Sequence, residues 1–268
     1  MITDISSAYS EICSAALRAG QIIAETSPET VGVFKKSGDA NFVTESDIRI
    51  QKFLRSRLSA ACPEAGFLGE EDDGASSSGP AKYVFIVDPI DGTSNYMFGL
   101  RLSTVSIALC DAERGRPVAA AVCCPTSGEV FSALEGGGAF LNGKPIRVSD
   151  RNLQNSLAAF GSTPYDRTLA PLHMDILSDV YSSCLDVRNL GSAALHLAYL
   201  AAGRFGGFYE MRLCPWDYAA GALLITEAGG RITNFSGAFP SLESADSIVA
   251  GTPSAYPEIL GIISSHTK

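Results

Sequence analysis

The chain has 268 residues, a formal net charge of −9, and 46% hydrophobic but only 18% charged residues. A chain of this length and composition can bury a large apolar core, which excludes a disordered protein. Nucleic-acid binding by bulk attraction needs a basic face, so the negative charge argues against that partner. No apolar run reaches the roughly 18 residues of a membrane span.

The N-terminal segment carries Asp4 and Glu11, where a secretion signal would need basic residues and an apolar stretch. The seven cysteines are an odd number without paired spacing, which indicates free thiols in a reducing compartment. Only three histidines are present, and His196 lies in an apolar helical run typical of a packing residue. We therefore predict a cytoplasmic protein whose chemistry, if it is an enzyme, depends on carboxylates or metals.

Apolar spacing predicts a first helix over 8–24 and a second helix that follows Thr44 and ends near Pro63. Thr44 is a suitable N-cap because an acid, Asp47, lies three positions later. Apolar runs then predict strands at 66–68, 83–87, 103–109, 117–124 and 129–134. Consecutive strands without intervening helices favour an antiparallel sheet in this N-terminal half, residues 1–150.

Beyond residue 150 the pattern changes to alternating strands and helices. The predicted strands lie at 156–160, 207–210, 231–233 and 247–250, and the predicted helices at about 168–181, 191–203 and 216–228. Such alternation is typical of α/β layers. No repeat or low-complexity linker separates the halves, so we predict that residues 1–150 and 151–268 form one compact unit.

Two acids follow the buried strand at 83–87. Asp88 and Asp91 lie three positions apart with a proline between them, so both carboxylates can point at one site. Gly92 allows close backbone approach, and Thr93 is a suitable first-turn residue whose free N–H could bind phosphate. Like charges at a buried strand end are costly unless a cation lies between them, and Mg²⁺ prefers carboxylate and phosphate oxygens. The pattern predicts a cation and phosphate site.

Further acids lie at other element ends. Glu70 follows the strand at 66–68, and Asp217 lies in the first turn of a helix that Pro215 opens. Each of these acids can also be explained without a functional role. The run around Glu70 could be a solvated acidic loop, and Asp217 and Asp47 could each serve only as a helix cap. Trp216, the only tryptophan, lies beside Asp217 and is interpreted as lining a site.

Taken together, these segments resemble the inositol monophosphatase family of metal-dependent phosphatases. The resemblance covers nearly the whole chain and rests on motifs in matching order, at 43–47, 69–71, 88–95, 140–145, 191–194 and 216–230. It implies a layered αβαβα fold of the sugar-phosphatase type. In class terms this is α+β in the N-terminal half, with its antiparallel sheet, and α/β in the C-terminal half. It also implies a homodimer, two to three Mg²⁺ ions as cofactors, and inhibition by lithium.

The resemblance further implies a metal ligand set. Glu70, Asp88 and the carbonyl of Ile90 would hold a first Mg²⁺, which activates water. Asp88, Asp91 and Asp217 would hold a second, which stabilises the leaving oxygen. A third, weaker ion would also contact Glu70.

Catalytic and substrate-binding roles are implied in the same way. Thr93 with Asp47 would orient and deprotonate the nucleophilic water, while the N–H groups of Gly92 and Thr93 bind phosphate. Lys36 would lie on a loop near the metals. The residues expected around the substrate are Gly92, Thr93, Ser94, Gly191, Ser192, Ala193, Glu210 and Asp217.

The expected substrate is a small phosphorylated metabolite. Glu210 matches the family position that binds inositol hydroxyls, which favours inositol 1-phosphate over fructose 1,6-bisphosphate, histidinol phosphate or a nucleotide 3′-phosphate. Gly206 and Arg212 depart from the family pattern, and Arg212 could favour a second anionic group. An aspartyl phosphatase is disfavoured because its two acids lie two positions apart, whereas Asp88 and Asp91 lie three positions apart. A non-catalytic regulatory protein of the same fold is the remaining alternative.

Overall fold

A computed structural model of the chain describes residues 5–26, 31–35, 42–72 and 81–267. Its helices are α1 (Ile5–Glu25), α2 (Glu45–Ala61), α3 (Thr93–Met97), α4 (Ala170–Ser183), α5 (Ala193–Ala201), α6 (Pro215–Glu227) and α7 (Ala255–His266). Its strands are β1 (Val33–Lys35), β2 (Phe42–Thr44), β3 (Gly66–Gly69), β4 (Tyr83–Asp91), β5 (Thr104–Asp111), β6 (Arg116–Cys124), β7 (Glu129–Leu134), β8 (Gly138–Leu141), β9 (Lys144–Ile146), β10 (Leu157–Phe160), β11 (Asp186–Arg188), β12 (Gly207–Leu213), β13 (Arg231–Thr233) and β14 (Asp246–Gly251).

The larger sheet contains seven strands, β3 to β9, in chain order. β3 and β4 are parallel, and every later pair is antiparallel, as expected for strands joined without helices. The apolar sides of α1 and α2 cover one face of this sheet, with Ile12 and Leu54 fully buried. The N-terminal half is therefore the sheet that the sequence predicted.

The second sheet has five strands in the order β11-β10-β12-β14-β13. β10 is parallel to β11 and β12, whereas β14 is antiparallel to β12 and β13. The face that carries Tyr209 packs against α4 and α7. Such a mixed sheet agrees with the alternating strands and helices predicted beyond residue 150.

α5 and α6 lie between the two sheets. Both helices are apolar nearly all round, and residues such as Leu197 and Leu224 are fully buried in a core that also includes strand residues from both sheets. A helix that is apolar on all sides is expected to be covered on all sides. The order of layers is α1 and α2, first sheet, α5 and α6, second sheet, α4 and α7, which confirms the αβαβα fold.

β4 differs from its predicted extent. The apolar run predicts a strand that ends at Val87, whereas β4 continues to Asp91. Its pairing with β5 is interrupted after Asp88 and resumes where Asp91 pairs with Thr104. This irregularity keeps both acids inside a strand and turns the backbone between them. None of the described helices combines the length and hydropathy needed to cross a membrane.

Candidate active site

Three carboxylates from two separate parts of the chain meet where β4 ends. Asp88 and Asp91 belong to β4, and Asp217 lies in the first turn of α6. One oxygen from each carboxylate lies within 4.8 Å of the others. Within the described residues, no ion pair joins any of the three to lysine or arginine. The cluster therefore concentrates negative charge that these side chains do not neutralise.

Asp88 is the most deeply buried member of this cluster, with 1% of its surface exposed. Its Oδ1 accepts a hydrogen bond from the N–H of Ile90 at 3.0 Å, which closes the turn between the two acids. Burial raises the pKa of Asp88 well above its usual value, and the neighbouring carboxylates, Glu70 foremost, raise it further. Its ionised form needs a cation.

Asp91 is held by the N-terminus of α5. Its Oδ2 accepts the Oγ–H of Ser192 at 2.6 Å and the N–H of Ala194 at 2.7 Å. Burial raises the pKa of Asp91 to about 6, although these two hydrogen bonds act in the opposite direction. Because both bonds go to Oδ2, Oδ1 is the oxygen left for a cation.

Asp217 serves both as a helix cap and as a member of the cluster. Its Oδ2 accepts the N–H of Cys214 at 2.7 Å, and Pro215 is the first residue of α6. Burial raises the pKa of Asp217, and the charges of Asp91 and Glu70 raise it further. The cap interpretation of the sequence is therefore confirmed, and it does not exclude a metal role.

Glu70 lies at the half-buried edge of the cluster, directly after β3. Its N–H donates to the carbonyl of Val87 at 3.1 Å, which extends the pairing between β3 and β4 by one bond. The side chain of Asp72 accepts the N–H of Gly69 at 2.9 Å and so fixes the turn. The Glu70 charge raises the pKa of Asp88, so the two carboxylates interact electrostatically.

Asp47 and Thr93 lie at the starts of two helices beside the cluster. Asp47 is fully buried, and its Oδ2 accepts the N–H of Thr44 at 2.7 Å in the predicted capping box of α2. Its charge contributes to the raised pKa of Asp88, so it acts on the cluster as well. Thr93 is the first residue of α3, and its Oγ–H donates to the carbonyl of Ile90 at 3.2 Å.

Glu210 lies on β12 with 6% of its surface exposed. It accepts the N–H of Thr163 at 3.2 Å, and a Cβ on Gly161 would lie 1.8 Å from its Oε2, so a side chain at position 161 would displace the Glu210 carboxylate. Burial raises the pKa of Glu210 to about 8, and the charge of Asp91 raises it further. Glu210 is thus within electrostatic reach of the cluster.

Tyr165 is a residue that sequence reasoning missed. It lies in the loop that begins at Gly161, and 68% of its surface is exposed. The pKa of its hydroxyl is nevertheless raised, first by desolvation and then by four carboxylates led by Glu70 and Asp217. The hydroxyl of Tyr165 is therefore within electrostatic reach of the acids. No periodic pattern or motif in this loop could have indicated that position.

The other predicted site residues surround the cluster unevenly. Gly92 has a left-handed φ of 87°, and a Cβ there would lie 3.0 Å from the carbonyl oxygen of Gly191. Ser94 and Gly191 are exposed, and Ala193 is buried at the start of α5. Lys36 lies outside the described residues.

The donor set of this site fits a hard divalent cation. All the side-chain donors are carboxylate oxygens, which Mg²⁺ prefers. Their raised pKa values follow from burial and mutual repulsion, both of which a bound cation would offset. Fold and site together define a layered αβαβα protein with a cluster of carboxylates, suited to a cation, where β4 meets the start of α6.

Comparisons with known proteins identify the family. The sequence profile described as "Inositol monophosphatase family" matches residues 4–268. A relative from Rhizobium meliloti named Inositol-1-monophosphatase is 38% identical over 239 residues, which is 88% of this chain and 88% of its own. Nus factor SuhB of Escherichia coli is 36% identical over 249 residues, covering 92% of this chain and 91% of its own.

A solved structure extends this likeness to the fold. The extragenic suppressor protein suhB from Bartonella henselae has a TM-score of 0.88 at 33% identity, covering 95% of this chain and 97% of its own. The chain belongs to the inositol monophosphatase family, as its motifs predicted.

Proposed function

We propose that this chain hydrolyses phosphomonoesters with Mg²⁺ as cofactor and water as nucleophile. The observation that carries this proposal is the convergence of Asp88, Asp91 and Asp217 within 4.8 Å, with Glu70 at the edge of the cluster. A phosphate monoester is a dianion, and a chain of net charge −9 would repel it. Bound cations invert the local field, so the site can attract phosphate on a negative surface.

The ligands proposed for two ions follow the family resemblance. Glu70, Asp88 and the carbonyl of Ile90 would hold one Mg²⁺, and Asp88, Asp91 and Asp217 a second, with a third ion near Glu70. When bound, Mg²⁺ lowers the pKa of water and neutralises charge on the phosphate and the leaving oxygen. This chemistry needs no histidine and no covalent intermediate.

The chain's own catalytic groups would act on the water. We assign Thr93 and Asp47 to orient it and accept its proton, because both lie at helix starts beside the carboxylate cluster. The N–H groups of Gly92 and Thr93, at the start of α3, would bind the phosphate oxygens. Lys36 would act near the metals, as the family resemblance implies.

Inositol 1-phosphate is the proposed substrate. Glu210, buried yet within electrostatic reach of Asp91, would bind the inositol hydroxyls. Ser94 and residues 191–193 would line the same pocket, and the exposed Tyr165 ring would contact the alcohol portion. The name of the Rhizobium meliloti relative supports this choice.

A second candidate function is suggested by the relative named Nus factor SuhB, which is similar over 92% of this chain. The chain would then act as a Nus factor, with or without phosphatase activity. An Asp91→Asn chain tests this candidate, because a Nus-factor role that does not use hydrolysis should survive the loss of turnover.

We also propose a cytoplasmic homodimer. All seven cysteines are free thiols, as a reducing compartment would leave them. Phe98 and Leu100 are large apolar side chains with 78% and 59% of their surfaces exposed, and Leu185, which precedes the sheet-edge strand β11, is 65% exposed. Exposed apolar residues mark an interface where they cluster, and Phe98 and Leu100 lie only two positions apart in the chain. Light scattering of the purified chain would test the dimer.

The experiment that tests the proposed function is phosphate release from a panel of monoesters and bisphosphates, with Mg²⁺, with EDTA and with added Li⁺. We expect Mg²⁺-dependent turnover of inositol 1-phosphate above the other esters, and inhibition by Li⁺. Faster turnover of another ester would replace the substrate and keep the chemistry. A folded chain that releases no phosphate from any ester would contradict the proposal and favour the second candidate.

A further inference from the structure

The side chain of Asn95 joins two segments that flank the carboxylate cluster. Asn95, in α3, is 7% exposed, and its Nδ2 donates to the carbonyls of Leu102 at 2.9 Å and Leu190 at 2.6 Å. A Cβ on Gly191 would lie 2.8 Å from this Nδ2, so the backbone that follows Leu190 packs directly on the amide. Both amide hydrogens of Asn95 are therefore used to hold main-chain carbonyls.

His196 holds the same segment from the other side. It is 1% exposed, its ring stacks on Phe208 with 5.1 Å between ring centroids, and its Nε2 accepts the N–H of Leu190 at 2.7 Å. Burial lowers the pKa of His196 to about 3, so the ring is neutral and its proton lies on Nδ1. Side chains thus bind both the N–H and the carbonyl of Leu190.

The segment that these side chains hold carries the donors to Asp91. Gly191 follows Leu190 with a φ of 71°, and Ser192 next donates through its hydroxyl to Asp91 Oδ2 at 2.6 Å. Ser192 also caps α5, whose Ala194 N–H is the second donor to that oxygen. The orientation of the Asp91 carboxylate therefore depends on where the Leu190 peptide is held.

We infer that Asn95 and His196 are positioning residues for the cation that Asp91 would bind, an inference that rests on the proposed function. Partners that orient a metal ligand act through its geometry, and their loss typically costs about 10- to 100-fold in metal affinity or activity. Neither residue needs to touch the cation or the substrate. Their expected effect is on metal affinity, with a smaller effect on substrate KM at saturating metal.

The first test is Asn95→Asp, which keeps the size of the side chain but removes both N–H donors. Mn²⁺ serves as the probe, with its binding followed by electron paramagnetic resonance without substrate. We expect binding about 10- to 100-fold weaker than in the wild type. In the phosphatase assay, the Mg²⁺ concentration for half-maximal turnover should rise more than substrate KM does.

Asn189→Asp is the matched control. The exposed Asn189 accepts the N–H of Gly191 at 2.8 Å through Oδ1, an acceptor that aspartate keeps. It adds the same charge close to the same segment without removing a donor that holds Leu190. We expect Mn²⁺ binding within about twofold of wild type. Equal loss in Asn95→Asp and Asn189→Asp would assign the effect to charge and overturn the inference.

A second pair of variants keeps the test decisive if Asn95→Asp does not fold. His196→Gln retains an acceptor near the position of Nε2, whereas His196→Leu retains none. We expect His196→Leu to weaken Mn²⁺ binding about tenfold and His196→Gln to restore most of it. Equal binding by the two would overturn the inference, because burial alone would then explain the histidine.

The two failures can be told apart. A wild-type chain that binds Mn²⁺ but releases no phosphate would contradict the proposed function and leave the positioning test intact. A wild-type chain with metal-dependent turnover, whose Asn95→Asp and His196→Leu variants bind Mn²⁺ normally, would overturn only the positioning inference. A wild-type chain that binds no Mn²⁺ would overturn both.

Discussion

At the scale of single residues, Asp91 is the carboxylate at which a substitution can remove the negative charge and keep the hydrogen bonds that hold the side chain. Asp91→Asn keeps a side-chain oxygen that can accept the N–H of Ala194 and the hydroxyl of Ser192, so the variant should fold. It removes a negative ligand, and we expect kcat to fall at least ~10²-fold. Circular dichroism checks the fold and phosphate release checks the rate. Near-normal turnover by the variant would refute the two-metal assignment.

Thr93 offers a test of the catalytic role itself. The threonine hydroxyl donates to the carbonyl of Ile90 in the structure, and the proposed mechanism uses it on the water. We therefore expect Thr93→Ala to lower kcat more than it raises KM, because the lost contact belongs to the transition state. Thr93→Ser is the control, since it keeps the hydroxyl and should retain most of the rate. A change confined to KM would contradict the role.

The site residues differ in how far the sequence could reveal them. Asp88 and Asp91 were predictable because one buried strand carries both, so local pattern and chemistry coincide. Bringing Asp217 to the same point required the packing of α6 between two sheets, which no local pattern contains. Tyr165 and Thr163 lie in an irregular loop, and Thr163 has a φ of 45° that is unusual for its type.

At the scale of elements, sequence periodicity located most helices and strands because each has one buried face or is buried throughout. α7 (Ala255–His266) was not among the predicted elements, although Pro257 lies in its first turn, where a helix tolerates proline. β11 has only three residues and is formed by pairing with β10, not by local preference. Strands this short contain too few residues to show an alternating pattern, so periodicity cannot detect them.

Gly206 illustrates a constraint at the scale of elements. Its departure from the family pattern left its effect near the substrate pocket open. Gly206 lies just before β12, four residues from Glu210, and it packs against Ser156 while its N–H donates to the carbonyl of Leu157 at 2.9 Å. A Cβ on Gly206 would lie 2.3 Å from the Ser156 side chain. Close packing against Ser156 therefore explains why this position is a glycine.

We expect Gly206→Ala to lower the melting temperature while leaving the substrate KM unchanged. The overlap with Ser156 forces a shift that costs about 1–3 kcal/mol, as overpacking typically does. Gly261→Ala is the contrasting control, because that position lies in α7 with no neighbour within 4 Å of a Cβ. It should stabilise the chain by roughly 0.5–1 kcal/mol. A Gly206→Ala variant with normal stability and altered KM would return this residue to the pocket.

At the scale of the whole molecule, the site joins the two halves of the chain. Hydrogen bonds cross from residues 1–150 to 151–268 at Asp91, through Ser192 and Ala194, and at Asn95, through Leu190. That the halves form one compact unit stays a prediction, which a single unfolding transition followed by two probes would support. A cation bound by the carboxylates at this junction, as we propose, would couple its binding to the stability of the molecule.

The pH dependence of stability follows from those carboxylates. Burial raises the pKa of Glu210 to about 8 and that of Asp91 to about 6, and raises Asp88 and Asp217 as well. A carboxyl with a raised folded pKa favours folding in its protonated form, so its contribution is lost as pH rises through that pKa. His196, whose pKa is lowered to about 3, acts in the opposite direction only below about pH 6.5.

Between pH 6.5 and 8.5 these carboxylates titrate without a contribution from His196. Buried thiols such as Cys110 and Cys123, whose pKa values burial also raises, lower stability in the same direction only near the upper end of the window. In EDTA we expect the melting temperature to fall as pH rises across this window. The folded state still binds protons on Glu210, Asp88 and Asp217 that the unfolded state has already released, so each rise in pH favours the unfolded state. Cations bind the ionised carboxylates, so the rise in melting temperature produced by Mg²⁺ should be larger at pH 8.5 than at pH 6.5. Glu210→Gln is the control, since its uncharged amide should flatten the fall in EDTA. Equal Mg²⁺ effects at both pH values would mean that the bound cation does not compensate this buried charge, and the cluster would lose its assignment as the cation site.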